Sequence, residues 1–298
     1  DQDQLEQREV SAMNRTVKNE SYFMSVWNEF RKNRAAVMGM SILFAIIVVA
    51  IFADFLAPYD PIEQVYADAL QGPSTAHWFG TDEFGRDIFS RVLYGARVSL
   101  LVGVVSVAIA CVIGSLLGAS AGYFGGGYDA VVMRCMDVLL AIPSLLLNLS
   151  IVSALGKSVF NMMLAVGVSN IPRYCRIMRA SVLQIKNAEY VDAARITGAS
   201  HMLIIIRHII PNCLAPIIVQ ATLSVGSAII ACAGLSFLGV GVPAPTPEWG
   251  AMLSNGKDFL RHNAYITIFP GLAIMLTVLS LNLMGDGLRD AFDPKLRR

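Results

Sequence analysis

The chain has 298 residues, 55% of them hydrophobic and 15% charged, with a formal net charge of +1. A mean hydropathy of +0.57 is too high for a chain of this length whose whole outside faces water, so lipid is the expected solvent. The near-neutral balance excludes the basic footprint of a nucleic-acid-binding protein, and what carries information is the placement of charges between apolar runs.

The polar segment 1–35 opens at Asp1 and shows no cleavable leader, so the first apolar run is expected to stay as an uncleaved anchor. Within it Tyr22, Phe23, Val26, Trp27 and Phe30 recur at helical spacing, followed by Arg31, Lys32 and Arg34. This predicts a short helix in the membrane interface, as an anchor or as a partner surface. A membrane-crossing helix needs about 20 apolar residues at a rise of about 1.5 Å each. Stretches near 36–56, 98–122, 131–155, 158–178, 213–240 and 264–284 meet that need and predict an all-α membrane protein with about six transmembrane helices. An even number of spans puts both termini on one side.

Lys and Arg set the orientation. Arg8, Arg15, Lys18, Arg31, Lys32 and Arg34 precede the first span. Arg179, Lys186, Arg195 and Arg207 occupy the connection after the fourth, with Arg173 and Arg176 at its entrance, and Arg289, Lys295, Arg297 and Arg298 lie in the tail at 285–298. That side is predicted to be cytoplasmic, with both termini. The turn at Gly156 has only Lys157, and the 241–263 connection only Lys257 and Arg261. The 57–97 connection sets Arg86, Arg91 and Arg97 against Asp60, Glu63, Asp68, Asp82, Glu83 and Asp87, and is predicted to be extracytoplasmic. Its Asp82, Glu83 and Asp87 match no calcium loop and read as a solvated acidic turn.

Span two carries Ser106, Ala110, Gly114, Gly118 and Gly122 at every fourth position. A face of such small residues permits close helix packing, inside the subunit or between subunits. Asp54 sits near the end of span one, and Arg134 and Asp137 are spaced to pair near the start of span three. Polar residues within the apolar runs must face protein or a watery path: Asn148 and Ser150, Asn170, Gln220, Thr222 and Ser224, Thr277 and Asn282. They read either as interhelical hydrogen bonds or, together, as a path for a polar solute. Pro143, Pro172, Pro216 and Pro270 can kink the helices that carry them.

Catalytic and metal patterns do not assemble. Cys111, Cys135, Cys175, Cys213 and Cys232 form no CxxC and read as packing residues, and His77, His201, His208 and His262 are scattered, so no metal is expected. Gly156-Lys157-Ser158 mimics the end of a phosphate loop, but Ile151 stands where that loop needs glycine. Gly239-Val240-Gly241 mimics a dinucleotide fingerprint, but Pro243 interrupts it. No carboxylate relay lies at mid-membrane, so the driving energy for transport is expected from elsewhere.

After span four, Asn187 to Arg195 suits a short helix that Gly198 ends, and Pro211 is expected to break the chain before span five. Small Ala193 and Ala194 on the surface of this cytoplasmic knob, about 179–212, would let another protein dock closely. Asp192-Ala193-Ala194, Gly198 and Pro211 hold the spacing of the Glu-Ala-Ala signature, and the segment resembles that of permeases of ATP-binding-cassette importers. Asp192 stands for Glu, His208 for Ile and Ile210 for Leu. Further stretches resemble the C-type permease of dipeptide and oligopeptide importers: Gly80-Thr81-Asp82 through Arg91, Leu235-Ser236-Phe237 through Pro247-Glu248-Trp249 to Leu253, and Asn282 through Asp290 with Asp293-Pro294-Lys295. Nickel and glutathione importers share much of this pattern.

The resemblance implies a type I importer permease fold and a heterodimer with a related permease. It also implies an extracytoplasmic solute-binding protein and two ATP-binding subunits docking on Glu189, Asp192, Ala193, Ala194, Gly198 and Pro211. ATP and Mg would be bound by those partners, and this chain would be non-catalytic with no cofactor of its own. Dipeptides rank first as cargo on the look of 211–224 and 243–253. The competing readings are an ATP-independent secondary transporter or channel and an intramembrane enzyme, the latter lacking paired catalytic groups.

Overall fold

The computed structural model describes residues 22–292, the side chains of Tyr22 and Phe23 excepted. Arg8, Arg15 and Lys18 before it, and Asp293, Pro294, Lys295, Arg297 and Arg298 after it, lie outside the described residues. Within them the principal elements are helices: α1 Tyr22–Lys32, α2 Arg34–Ile51, α3 Ile88–Phe124, α4 Gly126–Ala141, α5 Ser144–Leu155, α6 Val159–Ile185, α7 Glu189–Ile196, α8 His201–Phe237, α9 Trp249–Gly256 and α10 Tyr265–Phe292, with single turns at Ala53–Leu56, Tyr66–Asp68 and Lys257–Phe259.

Of these, α2, α3, α8 and α10 are long and apolar enough to cross a membrane. The stretch expected to cross at 131–155 is two helices, α4 and α5, bent by 90°. Ile142 between them is extended at φ −89° and ψ 126°, the region to which proline drives its predecessor, and Pro143 has no N–H to continue the helix. Helix α6 contains the span expected at 158–178 and runs for 27 residues, about 40 Å at the usual rise. Arg173, Arg176 and Arg179 in its later turns make it less apolar than a span of that length. By length and composition, the six expected spans become four, or five with the bent pair counted as one.

Pro211 does not break the chain either. A π-helical turn at Ile205–Ile209 and a 3-10 turn at Ile210–Cys213 carry the helix past it, and Asn212 Nδ2 donates to the His208 carbonyl at 2.7 Å. Helix α8 therefore runs from His201 to Phe237.

The centre of the bundle is the long seam between α3 and α6. Because lipid tails are as apolar as leucine, burial alone does not drive helices together in a membrane, and close packing must supply the attraction. Ser106, Ala110, Gly114, Gly118 and Gly122 all lie on the buried face of α3. A Cβ at Gly114 would stand 2.6 Å from the Ile171 carbonyl and one at Gly122 3.0 Å from the Val182 Cβ, while one at Gly118 would run into the Cys175 carbonyl. The small-residue face therefore meets α6 of the same chain. Met162, Val166, Tyr174, Cys175, Met178 and Val182 of α6 are fully buried along it or within 5% of being so.

Helix α10 closes the other side, packed on α2 and α8. Gly39 of α2 leaves no room for a Cβ beside the Ser280 carbonyl, 2.7 Å away. Helix α1 is docked rather than merely interfacial: Val26 and Phe30 are buried with Ala36 and Ala291, while Trp27 stays exposed.

The seam predicts that Gly118→Leu destabilises the detergent-solubilised protein by about 3 kcal/mol or more, through overpacking against backbone. Gly127→Leu, placed where a Cβ meets nothing within 4 Å, is the control. A thermal-melting comparison that finds the two variants equal contradicts the seam.

Candidate functional site

The bundle presents two candidate surfaces, one at each end. The first is built on α7. Ala188 enters it in extended conformation, Glu189 and Asp192 occupy its first turn, and Val191 and Ala194 point inward, at 0% and 8% exposed. The expectation that both alanines lie on the surface is thus corrected: an eight-residue helix buries one of two adjacent positions, leaving Ala193 exposed and Ala194 covered. Gly198 takes φ +80°, a conformation costly for other residues, and its N–H and that of Ala199 return to the Arg195 and Ala194 carbonyls at 3.0 and 3.1 Å. Ser200 then caps α8, its hydroxyl accepting from Leu203 N at 3.3 Å.

This segment is strapped to the end of α3. The Tyr123 hydroxyl and His201 Nδ1 are 2.8 Å apart, Phe124 meets the His201 ring edge-on, and the Arg195 guanidinium lies 5.4 Å over the Tyr123 ring while pairing with Asp192 at 2.9 Å. Sequence reasoning missed Tyr123 and Phe124, since nothing in a helix end reveals what folds over it. The outer face is apolar: Ile196 is 86% exposed, Met202 66% and Ile206 54%. Glu189, Asp192 and Pro211 are exposed beside them.

The second surface is the opposite rim, built from 57–91 and 236–256. Asp82 accepts from the backbone N–H of Phe84 and Arg86 at 2.9 and 3.0 Å, and its second oxygen accepts from Arg86 Nε at 2.6 Å. Arg91 Nε stands 3.6 Å from that oxygen. Asp87 caps α3 through Ser90 N at 2.7 Å and faces His77 Nδ1 at 3.0 Å. Asp82 and Asp87 are 4% and 3% exposed, so the expected solvated acidic turn is a buried ion-pair knot. Glu83 sits at its edge with one buried oxygen lacking a partner, and burial pushes its carboxyl above the ordinary value. Glu248 had no role in the sequence reading. It is 2% exposed, caps α9 through Gly250 N and Ala251 N at 2.8 and 2.7 Å, and accepts from Ser236 Oγ at 2.9 Å and Ser99 Oγ at 3.3 Å. Trp249 fills the notch at Gly95 and donates to the Val92 carbonyl at 2.9 Å.

The polar residues of the expected path lie on α5, α6, α8 and α10. Gln220 Nε2 donates to Ser224 Oγ at 2.8 Å beside a groove of about 380 Å³ between α6, α8 and α10. Ser150, Thr222 and Thr277 hydroxyls return to the carbonyls of Leu146, Ile218 and Ala273, and Asn170 returns to Val166. Asn282 is exposed, and Asn148 is buried with its carbonyl oxygen unpartnered. Asp137 pairs with Arg176 of α6 at 2.6 Å, not with Arg134 as its spacing suggested, and Asp54 pairs with Arg97 at 2.9 Å.

Residues 114–298 match the family model of the binding-protein-dependent transport system inner membrane component, and 21–73 match the N-terminal membrane domain of oligopeptide transport permease C. The chain belongs to the binding-protein-dependent permease family. Among relatives of this permease, the dipeptide transport system permease protein DppC of Alkalihalophilus pseudofirmus is 46% identical over 92% of this chain and 91% of its own length. The di/tripeptide permease DppC of Pseudomonas aeruginosa is 46% identical, over 91% of each chain. The glutathione permease GsiD of Escherichia coli O157:H7 is 47% identical over 91% of this chain and 90% of its own. In fold, the permease resembles the inward-facing methionine ABC transporter MetNI, with a TM-score of 0.56 and 18% identity over 68% of this chain and 97% of that one. The structure is thus a type I permease fold in a multi-pass inner membrane protein.

The rim predicts a pH signature. A carboxyl raised in the folded state above its ordinary value near 4.5 favours folding below that value, and the contribution is lost as pH rises through the folded one. Glu83→Gln should therefore melt higher than the parent at pH 7–8, with the gap closing under acid. A gap of opposite sign at neutral pH contradicts the assignment.

Proposed function

We propose that this permease pairs with a second, related permease to form the path by which dipeptides or other short peptides enter the cell, driven by ATP hydrolysed elsewhere. Two ATP-binding subunits, which bind ATP and Mg, dock on the segment from Glu189 to Cys213. An extracytoplasmic solute-binding protein delivers cargo to the opposite rim, and this chain is not itself catalytic.

The observation that carries this reading is the uncovered apolar face of the α7 segment. Ile196, Met202 and Ile206 stand exposed among Asp192, Arg195 and Arg207, a mixture suited to a protein partner rather than to lipid tails. Arg173, Arg176, Arg179, Lys186, Arg195 and Arg207 gather at this end, which supports a cytoplasmic placement.

Mechanism follows from connection. Closure of the ATP-binding subunits would displace α7, and the strap through Tyr123 and His201 passes that displacement to the end of α3. Since α3 and α6 meet backbone to backbone, they move as one body, and the permease pair changes which side its path opens to. Cargo of the short-peptide class is supported by the relatives named for dipeptides and for di- and tripeptides. The relative named for glutathione favours that tripeptide as a second reading.

Ile196→Asp, at a fully accessible position, should leave folding intact while reducing recovery of ATP-binding subunits with the purified permease by about tenfold or more, as expected for an interface anchor. Unchanged recovery would place docking elsewhere.

A further inference from the structure

At the end of the bundle away from α7, the start of α3, helix α9, the turn after α5 and the α8–α9 connection enclose a cavity of about 320 Å³. Its charged lining is Arg86, Arg91 and Lys157, joined by Thr246, Ser254 and Asn255, and no carboxylate lines it among the described residues.

The two arginines form a fixed wall. Each is 3% exposed, and both are held by Asp82, with Arg91 Nη1 also donating to the Pro61 carbonyl at 2.7 Å. Glu83 lies 3.6 Å from Arg86, and Glu248 is occupied by two hydroxyls and two backbone amides. Lys157 differs. It is exposed on the turn between α5 and α6, and its ammonium has no hydrogen bond or ion pair among the described residues. The side chains of Thr246 and Asn255 are likewise unbonded within them.

A free ammonium, which can only donate, beside a hydroxyl and an amide that can also donate and two guanidinium groups, suits a ligand that accepts hydrogen bonds and carries negative charge: a carboxylate. The volume is roughly ten times that of a water molecule, at about 30 Å³ each. It lies near the lower end of small-molecule sites, about 300–1,000 Å³. It accommodates the end of a short peptide, whereas a single acidic side chain would leave most of it empty.

We infer that this cavity receives the C-terminal carboxylate of the transported peptide as it enters from the binding protein, with Lys157 as the mobile cation and Arg86 and Arg91 as the fixed positive wall. The inference rests on the peptide-importer reading. It adds one charged subsite to a chain whose other expected path residues are uncharged.

The test uses the assembled transporter in lipid nanodiscs without its binding protein. N-acetyl-dialanine and its C-terminal amide are titrated by saturation-transfer NMR. The acid should bind, with the amide about tenfold weaker, and Lys157→Ala should weaken the acid by about tenfold while leaving the amide unchanged, the loss expected for one charge-assisted hydrogen bond. Equal binding of acid and amide, or unaltered acid binding in Lys157→Ala, overturns the inference. Uptake of dialanine by the wild-type transporter in proteoliposomes is measured alongside. If ATP and binding protein drive no uptake, the importer reading fails, whatever the cavity binds.

Discussion

Three glycines on one face of α3 let the α6 backbone approach to the limit of contact, and both candidate surfaces hang from the ends of that seam. At one end Gly122 meets Val182, one turn before the chain leaves α6 for the α7 segment. At the other, α3 begins at Asp87 in the ion-pair knot that shapes the rim. In a solvent that gives helices no hydrophobic reason to associate, such a contact works through dispersion and shape, so it tolerates no added carbon. A rigid pair of helices about 40–55 Å long is a suitable lever between a docking surface and a rim.

The rim shows what stabilises irregular backbone next to a membrane. A loop there must satisfy its own polar groups, because its neighbours offer few partners. Asp82 accepts from two backbone amides and one guanidinium, and Glu248 from two amides and two hydroxyls. Each carboxylate acts as the hub of a turn. Breaking one such buried pair strands a charge, at a cost of about 3–5 kcal/mol, which is why the network belongs together.

Much of this was legible in the sequence, and the residues show where legibility ended. The small residues at every fourth position of α3 announced a close helix contact, because spacing alone sets a helical face. Their partner helix was not legible, since the pattern fixes approach and not identity. Pro143 announced a kink, but a bend of 90° depends on what packs around it. Asp82 and Arg86 carry helical spacing yet meet inside a turn, and the second partner of Asp82, Arg91, belongs to the next helix. The polar positions Ser150, Thr222 and Thr277 read as interhelical bonds or as a path, and spacing alone did not show that each hydroxyl bonds the carbonyl four residues back. The short helix α7 and its end at Gly198 were legible in the sequence, whereas its inward alanine and the Tyr123 strap needed the third dimension.

The central claim is that this permease works only as one part of an ATP-driven assembly. The most direct measurement is to isolate the chain from solubilised native membrane, identify what accompanies it, and assay the preparation for ATP hydrolysis and for solute movement in vesicles. The account predicts a second permease and ATP-binding subunits in the preparation, with hydrolysis present and solute movement strictly dependent on ATP. A chain that arrives alone and still moves solute without ATP would contradict it.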